Sequence, residues 1–375
     1  MLVGVVPPPV HGQSLVTQAL FETDLSPCEK IRVPIRSSKT LTTVGRFSVE
    51  KALGLIGLIA KVYYLWIFKR PKVLYYTAGS GAWVPFARDV LFLTFCRPLF
   101  SKTLIHYHSG NLVEFIAASS LRSIIARFIY GRGAWTIRLG TSCPAPSYPS
   151  NRIFDVPNGI NAPENLPAKT ASSAFRILFL GNLFEDKGVL DLIEAVRIFA
   201  NERPDPIRLS LVGGWPNQNT QQKIEAAIAT LPSNVTCPPP APAYGAEKWK
   251  ALATHDVFVF PSYYSSENLP LVAIEAMAAS LPIIATTWRG LPSLVDDGVT
   301  GFHVAINSPG QISEHLKTLI SSKETREQMG AKARERYEHN FTLQLHTETI
   351  RNVIWEATGL KDKRSDQSSS HKLMQ

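Results

Sequence analysis

The sequence predicts an α/β protein built of two doubly wound domains with a cleft between them, and three observations carry that prediction. Short apolar runs alternate with longer segments of helical periodicity along the whole chain, the pattern of β-α units around parallel sheets. The 375 residues are enough for two domains. A polar, Pro-containing stretch, residues 161–173, separates two such alternating series.

In the first series the apolar runs predict strands at Leu2–Val6, Ile31–Ile35, Val73–Tyr76, Thr103–His108, Trp135–Leu139 and Arg152–Val156. Apolar residues at helical spacing predict helices at Ser14–Glu22, Phe47–Phe68, Val84–Phe95 and Val113–Ile129. The second series reads strand Arg176–Leu180, helix Lys187–Ala200, strand Ile207–Val212, helix Thr220–Ala229 and strand Asn234–Thr236. It continues with helix Ala246–Ala253, strand Val257–Phe260, helix Leu271–Ala279 and strand Ile283–Ala285. Pro238 to Pro240, with Pro242, fall between a strand and a helix and read as loop. The expected divisions are a first domain over 1–160, a linker over 161–173 and a second domain over 174–340. A C-terminal helix at 341–359 is expected to return to the first domain, and the polar, Ser-rich tail 360–375 to be disordered.

Composition narrows the function class. Charged residues are 18% and hydrophobic ones 45%, which argues against a disordered or fibrous chain. Cys28, Cys96, Cys143 and Cys237 lie far apart without a C-x-x-C pair, so neither a disulfide framework nor a zinc knuckle is indicated. The net charge of +9 is uneven: residues 1–165 hold 18 Lys/Arg against 8 Asp/Glu, whereas 166–375 hold 21 against 22. Within 51–138 there are 12 basic side chains and only two acidic ones, Asp89 and Glu114, interleaved with aromatics. That mixture suits an anionic membrane surface better than nucleic acid, for which charge is the only support. The most apolar window, Ala52–Phe68, has Lys61 at its middle and sits at the lower limit for a span. It is expected to be a helix packed on the domain core, with an interfacial helix as the second reading. Residues 1–20 lack the features of a signal peptide, so a cytoplasmic location is expected, with attachment to the inner face of the membrane.

The segment from Phe258 to Ala285 concentrates the candidate chemistry. A buried strand ends at Phe260-Pro261-Ser262, a loop carries Glu267, and Pro270 stands at the expected first helical turn, where its missing N–H costs little. Backbone N–H groups across Asn268, Leu269, Pro270, Leu271 and Val272, the proline excepted, would be unpaired at that helix start and suited to a pyrophosphate. Glu275, on the helix, could accept from both hydroxyls of a ribose, and Glu267 could reach a sugar.

The order strand, Pro-Ser, Glu267, seven residues, Glu275-Ala-Met-Ala, strand resembles the E-x7-E motif of the retaining nucleotide-sugar glycosyltransferases of family 4 (glycosyl transferases group 1), whose architecture is GT-B. Arg289-Gly290-Leu291-Pro292, Asp296-Asp297-Gly298 and Thr300-Gly301-Phe302 continue the resemblance downstream. Phe179-Leu180-Gly181-Asn182-Leu183 with Asp186-Lys187-Gly188, Leu211-Val212-Gly213-Gly214, Gly245 through Lys248 and Pro157-Asn158-Gly159-Ile160 carry it upstream. Pro7 through Ser14, with His11 and Gly12, is similar to the acceptor-side loop of bacterial polysaccharide members. The resemblance implies two Rossmann-like domains facing each other across the cleft.

It also implies roles. Lys187 would stabilise the diphosphate that departs, a cation acting without a metal; its place in a helix's first turn is unfavourable unless an anion is near. Gly181, Asn182 and Gly214 fall on the donor side. Many relatives have an arginine where this chain has Asn182, which cannot offset charge, and Arg289 is the candidate replacement. A histidine near the donor sugar is implied, and His108, at the carboxyl edge of its strand, is preferred over His106. The two are expected not to share a face, with His106 structural. Asp296-Asp297 reads as a solvated turn; no metal and no cofactor beyond the nucleotide-sugar substrate are implied. The function implied is transfer of a sugar, with retention, from a nucleotide-sugar to a hydroxyl acceptor, a glycan or polyprenyl-linked, in cell-surface polysaccharide synthesis. The alternatives are a nucleotide-sugar epimerase of the same fold and a non-catalytic nucleotide-sugar-binding partner of another transferase.

Overall fold

The computed structural model describes residues 1–8, 12–35, 48–169 and 172–360, so His11 and the tail 361–375 lie outside the described residues. The chain divides into two units: Met1–Pro157 together with the segment from Gln344 onward, and Asn158–Leu343.

In the first unit β1 (Leu2–Val5), β2 (Arg32–Ile35), β3 (Val73–Thr77), β4 (Lys102–His106), β5 (Trp135–Arg138) and β6 (Arg152–Asp155) form one parallel sheet in the order β2-β1-β3-β4-β5-β6. Every residue of β1 and β3 is buried, which is why these strands read as unbroken apolar runs rather than alternating ones. On one face of the sheet, α2 (Val49–Lys69), α3 (Trp83–Cys96) and α5 (Ser120–Tyr130) share an apolar cluster with Val3, Leu74 and Ile105. On the other face, α1 (Gly12–Glu22) and α12 (Leu343–Thr358) close over Leu2, Tyr75 and Leu104. The latter helix, last in the sequence, contributes Ile350, Val353, Ile354 and Ala357 at helical spacing.

One helix differs from the sequence reading. The segment 113–129 is α4 (Leu112–Ala117) followed by α5, because Ser119 is extended (φ −156°) between them. Neither Gly nor Pro marks that break, so periodicity ran through it. Ala52–Phe68 lies within α2, which packs on the domain core as expected but through a narrow face: Val62 is its one fully buried residue among those described. A narrow stripe of Leu55, Leu58, Ile59, Leu65 and Trp66 packs inward beside it, and the opposite apolar side faces outward. A helix apolar all round gives no sign of which side is covered.

In the second unit β7 (Phe175–Leu180), β8 (Ile207–Val212), β9 (Val235–Thr236), β10 (Val257–Phe260), β11 (Ile283–Thr286) and β12 (Gly301–Val304) form a parallel sheet in the order β12-β11-β10-β7-β8-β9. The chain winds outward from β7 to β9, then returns to the other side of β7 and winds outward again. The direction reverses between β7 and β10, and the loops leaving those strands open where such sheets bind ligands. Helices α6 (Val189–Asn201), α7 (Gln218–Ile228), α8 (Gly245–Thr254), α9 (Leu271–Ala278), α10 (Pro309–Ser321) and α11 (Lys323–Asn340) complete the unit.

Lys187 is not in the first turn of a helix. It ends a 3-10 turn, Glu185–Lys187, and α6 starts only after Gly188, which is left-handed at φ 76°. A Cβ at Gly188 would lie 2.2 Å from the Pro261 carbonyl oxygen, so only glycine lets the loop after β7 press onto the loop after β10. Pro270 likewise stands one residue before α9 rather than inside it, with φ −69° and ψ 128°.

Candidate active site

At the switch point of the second sheet, Lys187 Nζ is ion-paired to Glu267 Oε2, with the two side chains 15% and 9% exposed. The same ammonium stands 5.2 Å from the Phe260 ring centroid and 4.8 Å from that of Tyr264. Glu267 Oε2 also accepts from Ser262 Oγ at 3.2 Å. The loop is fixed from three directions. Tyr263 N–H donates to the Asp186 carbonyl at 2.8 Å, Thr286 Oγ1 donates to the Ser262 carbonyl at 2.5 Å, and the Trp288 indole donates to the Tyr264 carbonyl at 3.0 Å. A cation and a carboxylate 80 residues apart in sequence are thus brought together by the ends of β7 and β10.

Glu275 is the fifth residue of α9 and 6% exposed. Its Oε1 accepts from Lys248 Nζ at 2.5 Å, and its Oε2 has no partner. Burial pushes the carboxyl above the ordinary value, and the Lys248 charge opposes the rise. Asn268, 3% exposed, has a partner at neither end of its side-chain amide. Asn158 donates through Nδ2 to the Leu269 carbonyl at 2.8 Å and leaves Oδ1 without a partner. The N–H groups of Leu271 and Val272, the first two of α9, have no intrahelical acceptor, while those of Ala273 and Ile274 donate to the Pro270 carbonyl at 3.2 and 3.5 Å. Each buried unpaired polar group costs about 1–3 kcal/mol, so their concentration on one loop and one helix start needs a reason. An acceptor-only carboxylate oxygen, an amide that both donates and accepts, and a set of backbone donors together match a diol beside a diphosphate.

The remaining donor-side residues line the neighbouring loops. Gly181 follows β7 directly, and a Cβ at Gly213 would lie 1.8 Å from the Gly181 carbonyl oxygen, so the loops after β7 and β8 touch through backbone. Leu183 N–H donates to the Gly214 carbonyl at 3.0 Å, and Asn182 Oδ1 faces Gly214. Arg289, left-handed at φ 50°, stacks 4.9 Å above Trp288. Asp296 pairs with Arg336 at 2.5 Å, and Asp297 Oδ1 accepts from His303 N–H at 2.8 Å, so both carboxylates serve their own turn and α11.

In the first unit, β4 ends at His106 and His108 follows two residues on. The expectation that the two do not share a face is wrong. Residues i and i+2 of an extended chain point the same way, and the two rings are 4.0 Å apart. His106 is fully buried, with Nδ1 2.5 Å from the Tyr75 hydroxyl, and burial holds its pKa well below the ordinary value. His108 is partly exposed. His346, from α12, stacks 6.5 Å from His106 and binds the Pro157 carbonyl through Nδ1 at 2.6 Å. Gly12 opens α1, and Gln13 Nε2 donates to the Ala78 carbonyl at 3.1 Å. Sequence reasoning gave no role to Lys248. It belongs to a matching stretch, but nothing about a lone cation 27 residues before Glu275 announces their pairing.

Residues 164–336 match the family model described as "Glycosyl transferases group 1". The chain is 36% identical over 161 residues to a D-inositol 3-phosphate glycosyltransferase of Paenarthrobacter aurescens (strain TC1), covering 42% of this chain and 38% of that one. It is 28% identical over 309 residues to the capsular polysaccharide biosynthesis glycosyltransferase CapM of Staphylococcus aureus, covering 81% of this chain and 72% of that one. The chain therefore spans well under half of the first relative and nearly three quarters of the second. Among solved structures it resembles Anabaena Alr3699/HepE in complex with UDP, with a TM-score of 0.62 and 18% identity over 81% of this chain and 84% of that one. At that identity the likeness shows fold alone, and the fold is the GT-B type expected from the sequence.

Proposed function

Because residues 164–336 are a glycosyl transferases group 1 domain, we propose that the chain transfers a sugar, with retention of configuration, from a nucleotide-sugar donor to the hydroxyl of an acceptor. The acceptor is a lipid-linked glycan or polyprenyl carrier in cell-surface polysaccharide assembly, working from the cytoplasmic side of the membrane. The observation that carries the donor reading is the buried Glu275 carboxylate, one oxygen held by Lys248 and the other without a partner. That second oxygen accepts from the ribose hydroxyls, and the α9 N–H groups and Asn268 take the diphosphate and sugar. That HepE is known in complex with UDP supports a nucleotide ligand, and the CapM similarity supports the polysaccharide context.

The residues act as follows. Glu267 is ion-paired with Lys187 and neutralises it. When a diphosphate arrives, Lys187 has a more highly charged partner and Glu267 is released toward the sugar. As the glycosidic bond breaks, charge grows on the leaving phosphate, where the Lys187 ammonium lowers the barrier. The leaving phosphate takes the acceptor's proton as the acceptor attacks the same face. Binding is tested by thermal shift with a panel of UDP-, GDP- and ADP-sugars. Glu275→Gln, which removes a charged acceptor, should weaken the preferred nucleotide by roughly tenfold; unchanged affinity for nucleotide and nucleotide-sugar alike refutes the ribose role. Radiolabelled donor then separates transfer to acceptor from epimerisation and from binding without turnover.

A further inference from the structure

Among the described residues, 19 large apolar side chains are exposed, and 13 of them fall between Val49 and Phe128. Singly scattered exposed apolar residues are ordinary, but a contiguous patch on a soluble protein marks a surface that is covered. This patch is contiguous. α2 lies against α3, with Tyr63 donating to the Phe95 carbonyl at 2.9 Å and the Trp66 indole to the Leu99 carbonyl at 2.7 Å just beyond it. α3 in turn lies against α5, with Tyr130 donating to Asp89 at 2.8 Å and Arg97, at the end of α3, donating to the Ile129 carbonyl at 2.8 Å. The three helices form one layer whose inner side fills a shared core and whose outer side is also apolar. Leu53 (64% exposed), Ile56 (65%) and Phe68 (68%) on α2 are joined by Phe95 on α3 and by Leu121 and Ile124 on α5.

Charge identifies the occupant. Lys61, Lys69, Arg70, Arg127 and Arg132 are exposed on or beside the layer. Of the two acidic residues within 51–138, Asp89 is fully buried and consumed by Tyr76, Tyr130 and Arg88, and Glu114 is exposed on α4 rather than on one of the three helices of the layer. Two copies meeting through this face would bring like charges together, which disfavours a dimer. An anionic phospholipid surface complements both properties, taking the apolar side chains at the acyl boundary and the cations among the headgroups. Although α2 has the length and hydropathy of a span, it does not cross: its inner stripe around Val62 is part of the domain core, so the helix runs along the sheet.

We propose that the outer side of the α2–α3–α5 layer docks on an anionic phospholipid bilayer, with α2 lying in the plane of the interface. This goes beyond the transfer reading and is tested without nucleotide, so either can fail alone. The full chain is sedimented with vesicles of phosphatidylglycerol mixed with phosphatidylcholine and with vesicles of phosphatidylcholine alone, at low and high salt. Binding is expected to the anionic vesicles and to fall as salt rises. The triple variant Leu53→Ser, Ile56→Ser, Phe68→Ser should lose at least tenfold in partitioning. Lys61→Ser and Arg127→Ser should each lose about fivefold, the worth of one cation at such a surface. Tyr244→Ser, an exposed aromatic of the second unit, should change nothing. Unchanged melting temperatures certify the folds; should the triple variant misfold, the two charge variants decide. Binding to neither vesicle, equal binding to both, or indifference to the layer substitutions overturns the proposal. So does a dimer in vesicle-free sedimentation velocity that the triple variant dissolves, which assigns the face to a second copy.

Discussion

Replacing Lys248 by methionine keeps the length of the side chain and removes the cation ion-paired with the buried Glu275 carboxylate. At 2.5 Å and an effective dielectric of about 20, the attraction that is lost amounts to roughly 6–7 kcal/mol. Part of it was already spent on drying the ammonium, which is 23% exposed, so the expected net loss is about 3–5 kcal/mol at pH 8. For a unit of this size that is a fall in melting midpoint on the order of 10 °C. The loss depends on pH. Burial raises the Glu275 carboxyl above its ordinary 4.5, so the folded state holds this proton more tightly than the unfolded state does. Its stability contribution is therefore greatest at low pH and declines as pH rises from 4.5 through the folded value. Without Lys248 the folded value climbs further and the decline extends to higher pH. Lys248→Met should thus be strongly destabilised at pH 8 and much less so at pH 5, where a protonated carboxyl needs no cation. Adding Glu275→Gln to Lys248→Met should restore most of the loss at pH 8. Denaturation of the single and double variants across pH 5 to 8 provides the readout. Equal destabilisation at both ends, or no recovery in the double variant, would refute the idea that Lys248 exists to keep that carboxylate charged.

Two further outcomes follow from other buried groups. Lys187→Ala should lower turnover, measured as nucleoside diphosphate release from the nucleotide-sugar, by about a hundredfold while changing donor affinity much less, because the charge acts as the bond breaks; near wild-type turnover would move the role to another cation. Asp89→Ala strips acceptors from Tyr76, Tyr130 and Gly79 N–H, all inside the first unit's core, and should cost about 3–5 kcal/mol in denaturation of that unit; a loss under 1 kcal/mol would show that the two phenols find other partners.

The sequence made the second sheet readable because its strands are short apolar runs set between periodic helices, and Glu267, Asn268 and Glu275 sit at fixed offsets from one of them. What spacing could not reveal was which charges neutralise one another. Lys187 and Glu267 leave adjacent strands, and Lys248 and Glu275 lie on different helices, so each pair exists only once the sheet order is known. The histidines were a different failure: the two-residue repeat of a strand was applied with the wrong parity. That α2 packs on the core was legible, but how much of it is covered was not, because an all-round apolar sequence describes a covered helix and a half-covered one equally well.

The packing of α12 beneath the first sheet has a bearing on how the protein is made. Leu20, Phe21 and Leu25 share a cluster with Ile350, Val353 and Ile354, so these side chains are completed by others made about 330 residues later. At translation rates of about 5–20 residues per second, the wait is on the order of tens of seconds. The second unit is continuous in sequence and can close by itself in that interval, while the first stays open along one face with Tyr75 and leucines such as Leu2 and Leu104 less covered. A stop codon after residue 342 would therefore uncover Leu20, Phe21 and Leu25 more than 300 residues away, and a nascent chain paused after residue 343 would be a client for a holdase rather than a finished half.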